Sequence, residues 1–246
     1  MPKFFVSPEQ IEEDRLFILG EDARHIARSL RMAAGETVTV SDGRGEDFLC
    51  RLDVIRDERC ECRILRRTPA AGEPPVSVTL CMAYPKGDKL ETVIQKAVEL
   101  GASRILPFES SRCIKRPPAE KAEKILARLS RIAEEAAKQC GRGRIPEVLP
   151  PTSYAGMLAV AGECDLPLFC YEGECGSANS LKAILDGAKD PSSIAVVVGA
   201  EGGFSPEEAE QAKAAGLLPV GLGPRILRCE TAPSYALSAI SYRFEL

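Results

Sequence analysis

The run Ile194-Ala195-Val196-Val197-Val198 leads directly into Gly199-Ala200-Glu201-Gly202-Gly203-Phe204 and then Ser205-Pro206-Glu207-Glu208. Unbroken apolar residues fit a strand covered on both faces, as in a parallel sheet flanked by helices. Paired glycines let the backbone bend sharply and approach a ligand closely. Ser205 with Glu208 makes a capping box, and Pro206 suits the first helical position. Strand, turn and helix in this order predict an α/β architecture. About twenty residues later comes a second loop, Leu222-Gly223-Pro224-Arg225-Ile226-Leu227-Arg228-Cys229-Glu230-Thr231-Ala232, again with a glycine, a carboxylate and a helix start. In open α/β sheets ligands sit at the carboxyl ends of strands, so the two loops together form a candidate site. Neither GxGxxG nor GxxxxGK[ST] occurs, which removes the usual dinucleotide and P-loop readings.

Upstream the pattern differs. Residues 1–67 read mostly as strands: Thr37–Ser41, Phe48–Ile55 and the alternating Arg59–Leu65, with Asp42-Gly43-Arg44-Gly45 as a turn. One helix is predicted at about Glu21–Met32. Its apolar face is Ala23, Ile26, Ala27 and Leu30; Arg24, Arg28 and Arg31 project from another side, with His25 at the border. The stretch Thr68–Pro75 is a linker rich in proline and glycine. From 76 to 246, strands at Val76–Ala83, Arg104–Pro107, Leu166–Tyr171 and Ile194–Gly199 alternate with helices at Lys89–Leu100, Ala119–Cys140 and about Ala232–Tyr242. Such alternation predicts a largely parallel sheet.

At 246 residues, 45% hydrophobic and 28% charged, the chain has an ordinary globular balance. It lacks an apolar run of the roughly 18 residues that would span a membrane, and it lacks a signal-peptide core. The expectation is a cytoplasmic protein with no membrane partner. Ten cysteines are present without a CxxC, and His25 is the sole histidine. Zinc-site spacing is missing, so reduced thiols and no metal are expected. Net charge is −4, but between Arg112 and Arg144 ten basic residues face four acidic ones. That local +6 can serve a phosphate backbone or merely form a solvated helix face with ion pairs.

The loop Gly199-Ala200-Glu201-Gly202-Gly203 and the motif Leu222 to Thr231 together resemble the SPOUT methyltransferases, and within them the bacterial 16S rRNA (uracil-N3) methyltransferase family. That family carries G-P-E-G-G followed by L-G-x-R-[IV]-L-R-x-E-T. Here Ala200 stands in place of Pro, and Cys229 in place of Thr. The resemblance extends to His25–Met32, Gln95–Gly101, Ser111-Arg112-Cys113 and Gln139–Arg142.

The resemblance implies a PUA-like β-barrel RNA-binding domain at 1–70. It also implies a SPOUT α/β domain at 76–246 whose final part, about 194–246, forms a deep trefoil knot. S-adenosylmethionine would be the cofactor, 16S rRNA or the 30S subunit the substrate, and a homodimer the assembly. The reaction implied is methylation of N3 of one uridine, 1498 in the usual rRNA numbering. Gly199, Glu201, Gly202, Leu222, Gly223, Ile226 and Leu227 are the expected cofactor contacts. Arg225, Arg112, Arg142, His25, Arg28 and Arg31 are the expected RNA contacts. Arg228 would stabilise charge developing on the uracil oxygens. Glu230 is the first candidate proton acceptor, with burial expected to raise its pKa; His25 and water are the others. Two further readings stay open: a catalytically silent RNA-binding or assembly protein, and a SPOUT enzyme with another target such as a ribose 2′-hydroxyl.

Overall fold

The computed structural model describes residues 1–114, 119–174 and 179–246. Lys115 and Arg116 of the basic stretch, and Cys175, lie outside them. The chain forms two compact units.

The first unit comprises Met1–Glu73 and Ala137–Ile145. Its strands are β1 (Lys3–Phe5), β2 (Arg15–Leu19), β3 (Thr37–Ser41), β4 (Glu46–Ile55) and β5 (Arg59–Pro69), in the order β1-β3-β4-β5-β2. β1 is parallel to β3 and the other pairs are antiparallel. Alternate residues point to one face of a strand. Leu16, Ile18, Val38, Val40, Phe48, Cys50, Leu52, Cys60 and Cys62 accordingly form one buried cluster. Register shifts at Leu49/Cys50 and Leu52/Val54 add the local twist by which such a sheet curls. Among the described residues no ladder joins β1 to β2, so the barrel-like expectation takes the form of an open, curled sheet.

The helix expected over Glu21–Met32 is shorter. α1 (Gly20–Arg24) continues as a single π-helical turn, His25–Ser29. Arg31 then adopts φ +52°, and Met32 N–H donates to Ile26 O at 3.1 Å. This bond spans six residues, one more than the closing bond of a Schellman motif, because the turn before it is π-helical. The left-handed residue that stops the helix is an arginine rather than the usual glycine. Leu30, counted with the apolar face, is left 39% exposed.

The segment 137–145 is held to this unit through Glu73. The Glu73 carboxylate accepts from the Arg142 guanidinium (2.8 Å) and from Gly143 and Arg144 N–H (3.0 Å each). Ser41 Oγ donates to Gly143 O at 2.9 Å, and Lys3 Nζ to Gly141 O at 3.0 Å. Nothing in the linker composition announces this second segment, because it depends on contacts distant in sequence.

The second unit comprises Pro74–Ala136 and Pro146–Leu246. Its strands are β6 (Ser77–Ala83), β7 (Ala102–Glu109), β8 (Glu147–Val148), β9 (Thr152–Ser153), β10 (Leu166–Cys170), β11 (Ser193–Val198) and β12 (Leu218–Val220). The order is β12-β10-β11-β6-β7-β8, with β9 beside β7, and every pair is parallel. The helices are α2 (Lys89–Glu99), α3 (Ala122–Cys140, whose residues from Ala137 belong to the first unit), α4 (Tyr154–Gly162), α5 (Leu181–Gly187), α6 (Pro206–Ala214) and α7 (Thr231–Phe244). Central β11 and β6 are buried along almost their whole length, as the apolar run predicts. Pro219 sits in the edge strand β12, where a missing N–H is tolerated.

Candidate active site

β10, β11 and β12 end at Cys170, Val198 and Val220, and all three residues line one cavity of about 380 Å³. The loop after β11 and the loop after β12 form much of the remaining wall. The first loop is shaped by tight packing. An added Cβ on Gly199 would lie 3.1 Å from the backbone of Gly203 and 3.2 Å from the Phe204 ring. Gly203 has φ +61°, and its N–H donates to Ala200 O at 2.9 Å. Phe204 is buried, with its ring 4.3 Å from that of Phe169. The loop then enters α6 through the expected capping box: Glu208 N–H donates to Ser205 Oγ at 3.2 Å, and Ser205 N–H to Glu208 Oε2 at 2.9 Å. The other oxygen of Glu208 accepts from Ser111 N–H at 2.7 Å, which ties the loop after β7 to α6.

The second loop turns at Gly223, φ +110°. Arg228 O accepts from Thr231 N–H (2.8 Å) and Ala232 N–H (3.0 Å), so the backbone of Arg228 starts α7. Glu230 occupies the N-cap position, but its side chain makes no capping bond.

Of the residues expected at the site, Gly199, Glu201, Leu222, Arg225, Ile226, Leu227, Arg228 and Glu230 line the cavity together. Gly202 and Gly223 do not. A side chain on Gly202 would point at Cβ of Arg112, 3.1 Å away, and Arg112 Nη1 donates to Gly202 O at 2.8 Å. Arg112 thus braces the glycine loop from outside the cavity. Arg142 is 4% exposed and paired with Glu73. It is an internal structural arginine of the first unit, which corrects its reading as an RNA contact. His25, Arg28 and Arg31 are exposed on the first unit. His25 lies edge-on to Phe4, and Arg28 pairs with Asp57. In the basic stretch, Arg128 pairs with Glu91 and Lys138 with Asp22. The ion-pair reading therefore covers part of that field.

Lys89, Tyr171 and Glu172 also line the cavity and were not singled out by the sequence. Lys89 Nζ lies 3.0 Å from Glu201 Oε1 and 3.2 Å from Glu230 Oε2. Glu201 also accepts from Lys86 N–H at 3.1 Å, and the Cys229 thiol donates to Glu230 Oε2 at 3.2 Å.

These contacts set the charges. Burial works against ionisation of Glu201, but its own N–H, the Lys89 ammonium and Lys86 N–H together hold its carboxyl below the usual range. Glu230 is also lowered, by its own N–H and then by the Cys229 thiol, against burial and with help from Lys89. The expectation that burial would raise it is corrected: its side chain is 27% exposed and well supplied with donors. Burial first, and then the neighbouring Glu230, pushes the Cys229 thiol up to about 12. Lys89 is held protonated, chiefly by Glu201. Among the described residues no group of three or more metal-ligating side chains occurs, and no helix is long and apolar enough to cross a membrane.

Comparison with known proteins agrees with this architecture. Residues 72–241 match the family model described as an RNA methyltransferase domain, and residues 18–65 match an RNA methyltransferase PUA domain. A Bacillus subtilis protein, ribosomal RNA small subunit methyltransferase E, is 37% identical over all of this chain and 98% of its own. Its namesake from Synechocystis is 34% identical, over 99% of this chain and 78% of the relative. The crystal structure of a ribosomal RNA small subunit methyltransferase E from Neisseria gonorrhoeae, bound to S-adenosyl methionine, superposes with a TM-score of 0.84. It is 34% identical and covers 98% of this chain and 97% of the other.

Proposed function

Because the chain belongs to the ribosomal RNA small subunit methyltransferase E family of RNA methyltransferases, we propose that it transfers a methyl group from S-adenosylmethionine to N3 of one uridine of 16S rRNA. The observation that carries this reading is the meeting of the two loops on one cavity. Its volume is in the range of small-molecule pockets. Its walls combine Val198, Val220, Leu222, Phe204 and Leu227 with the carboxylates of Glu172, Glu201 and Glu230. Apolar walls suit an adenine, and carboxylates suit ribose hydroxyls and a cationic sulfonium. When bound, the cofactor supplies an electrophilic methyl group.

The remaining tasks fall to the chain. The uracil must be unpaired and held with N3 in line with the methyl group. Arg228, exposed at the cavity wall, donates to the uracil oxygens as negative charge builds on them. Arg225, also exposed there, engages a phosphate. Glu201 stays ionised and faces the cationic part of the cofactor. Glu230, with its lowered pKa, is a weak base, so the N3 proton leaves to water. His25, Arg28 and Arg31 serve as an RNA-facing surface of the first unit.

The assembled 30S subunit as substrate, the cytoplasm as location and a homodimer as active form complete the proposal. So does threading of about 194–246 into a trefoil. Ile226 is 82% exposed at the cavity rim, and Tyr235 and Tyr242 are 45% and 76% exposed on α7; a second copy would cover such residues.

The test is transfer of label from S-adenosylmethionine to 30S subunits, followed by mass mapping of the modified nucleotide. A label on a ribose 2′-hydroxyl, or none at all, would replace this reading with one of its alternatives. Within it, Arg228→Ala should lower the single-turnover rate by about 10²–10³ while RNA and cofactor affinities change little. Arg228→Lys should recover part of the loss, since a point charge lacks the planar fork. A mutant that turns over normally but has lost RNA affinity would make Arg228 a phosphate clamp.

A further inference from the structure

Lys89 is the first residue of α2, with Asp88 as N-cap. A helix N-terminus carries partial positive charge and disfavours a cation, so this lysine opposes its own helix. Its surroundings explain the placement. The ammonium touches Glu201, from the loop after β11, and Glu230, from the start of α7. Glu201 in turn accepts from Lys86 N–H, in the loop after β6. One nitrogen thus joins three separate segments at the carboxyl end of the sheet. Two carboxylates close enough to share that nitrogen would repel each other without it. The three side chains are 35%, 30% and 27% exposed, so solvent reaches the cluster.

We propose that Lys89 is a positioning residue: it holds Glu201 and Glu230, and with them the two loops, in the arrangement that receives the cationic cofactor. This rests on the methyltransferase reading above. The ammonium forms no bond with a reacting atom in this role. It fixes the two carboxylates and cancels their mutual repulsion, so that the cavity is preformed rather than assembled on binding.

The experiment uses the full-length protein. Calorimetry with S-adenosylmethionine and steady-state methylation of 30S subunits are run on wild type, Lys89→Met, Lys89→Arg, Glu230→Gln and the Lys89→Met/Glu230→Gln double mutant. Lys89→Met should weaken cofactor binding about tenfold, raising KM for the cofactor more than it lowers kcat. Lys89→Arg should recover most of the affinity. The double mutant should lose much less than the two single losses combined, because its second change removes a repulsion that the first exposed. Wild-type affinity in Lys89→Met, an arginine variant no better than methionine, or additive losses would each overturn the proposal. If Lys89→Met fails to fold, the arginine variant against Glu230→Gln decides: an arginine that binds cofactor no better than Glu230→Gln overturns it. Wild type that binds no S-adenosylmethionine would sink the methyltransferase reading instead, so the two failures are distinguishable.

Discussion

Gly203 lines the cavity, whereas Gly202, the one of the pair expected to contact the cofactor, does not. Their difference lies in backbone angle and direction. At φ +61° Gly203 is in the left-handed region, and a Cβ there would come 3.6 Å from the Glu172 carboxylate. Gly203→Ala should therefore cost about 1–2 kcal/mol of stability and weaken cofactor binding, as denaturant melts and calorimetry would show. Gly202→Ala should instead act by pressing on Arg112, whose Cβ would lie 3.1 Å away, and so should cost stability while leaving cofactor affinity nearly unchanged. Cofactor affinity lost equally in both variants would contradict this division. The residues of the motif from Leu222 to Glu230 were legible because local sequence builds their loop. Lys89 was not. Its role comes from two carboxylates on distant segments, and no pattern around residue 89 records them.

The same divide appears between elements. β3 was readable residue for residue, and most of the other expected strands and helices to within a few positions, because alternation and helical periodicity are local signals. The α1 region was overread: its apolar spacing continues to Leu30, but a left-handed Arg31 closes the helix earlier. The capping box at Ser205–Glu208 was legible as a helix start, yet its second task was hidden. Glu208 is 6% exposed and also takes the N–H of Ser111, from a loop far upstream. Glu208→Ala would leave both Ser111 and Ser205 N–H groups without this acceptor. A loss of about 2–4 kcal/mol is expected, measurable as a fall in the denaturant midpoint at unchanged slope. Ser205→Ala should cost only about 1 kcal/mol. Equal losses would mean that Glu208 acts as a cap alone.

For the whole molecule, titration bounds the stable range on both sides. Glu201 and Glu230 have lowered pKa values in the folded protein, as do Asp53 and Asp165. A lowered carboxyl contributes stability that is present above its unfolded pKa and is lost as pH falls through the folded value. On the alkaline side, burial pushes the thiols of Cys50, Cys81 and Cys170 up to about 12. Their contribution is present below the unfolded thiol pKa and fades as pH rises toward the folded value. The thermal midpoint should thus be flat from about pH 5 to 8, then fall below about pH 4 and above about pH 9. A midpoint still rising below pH 4 would contradict the acid limb.

The first unit is drawn from two stretches of chain, 1–73 and 137–145, and that has a consequence in time. A ribosome delivers the chain from its N-terminus, and domains fold as units while they emerge. The curled sheet emerges ahead of the second unit, but Glu73, Ser41 and Lys3 must wait for Gly141, Arg142 and Gly143 to be made. Until then the Glu73 carboxylate lacks Arg142, Gly143 and Arg144, and the Ser41 hydroxyl has only its local contacts with Glu46 and Gly43. A chain released at residue 73 should be readily digested by protease, and one released at residue 100 no less so. Resistance of the β1–β5 region should appear only in chains that extend beyond residue 145. Synthesis of this protein therefore passes through an interval in which the curled sheet stands unfinished, waiting on residues encoded much later in the message.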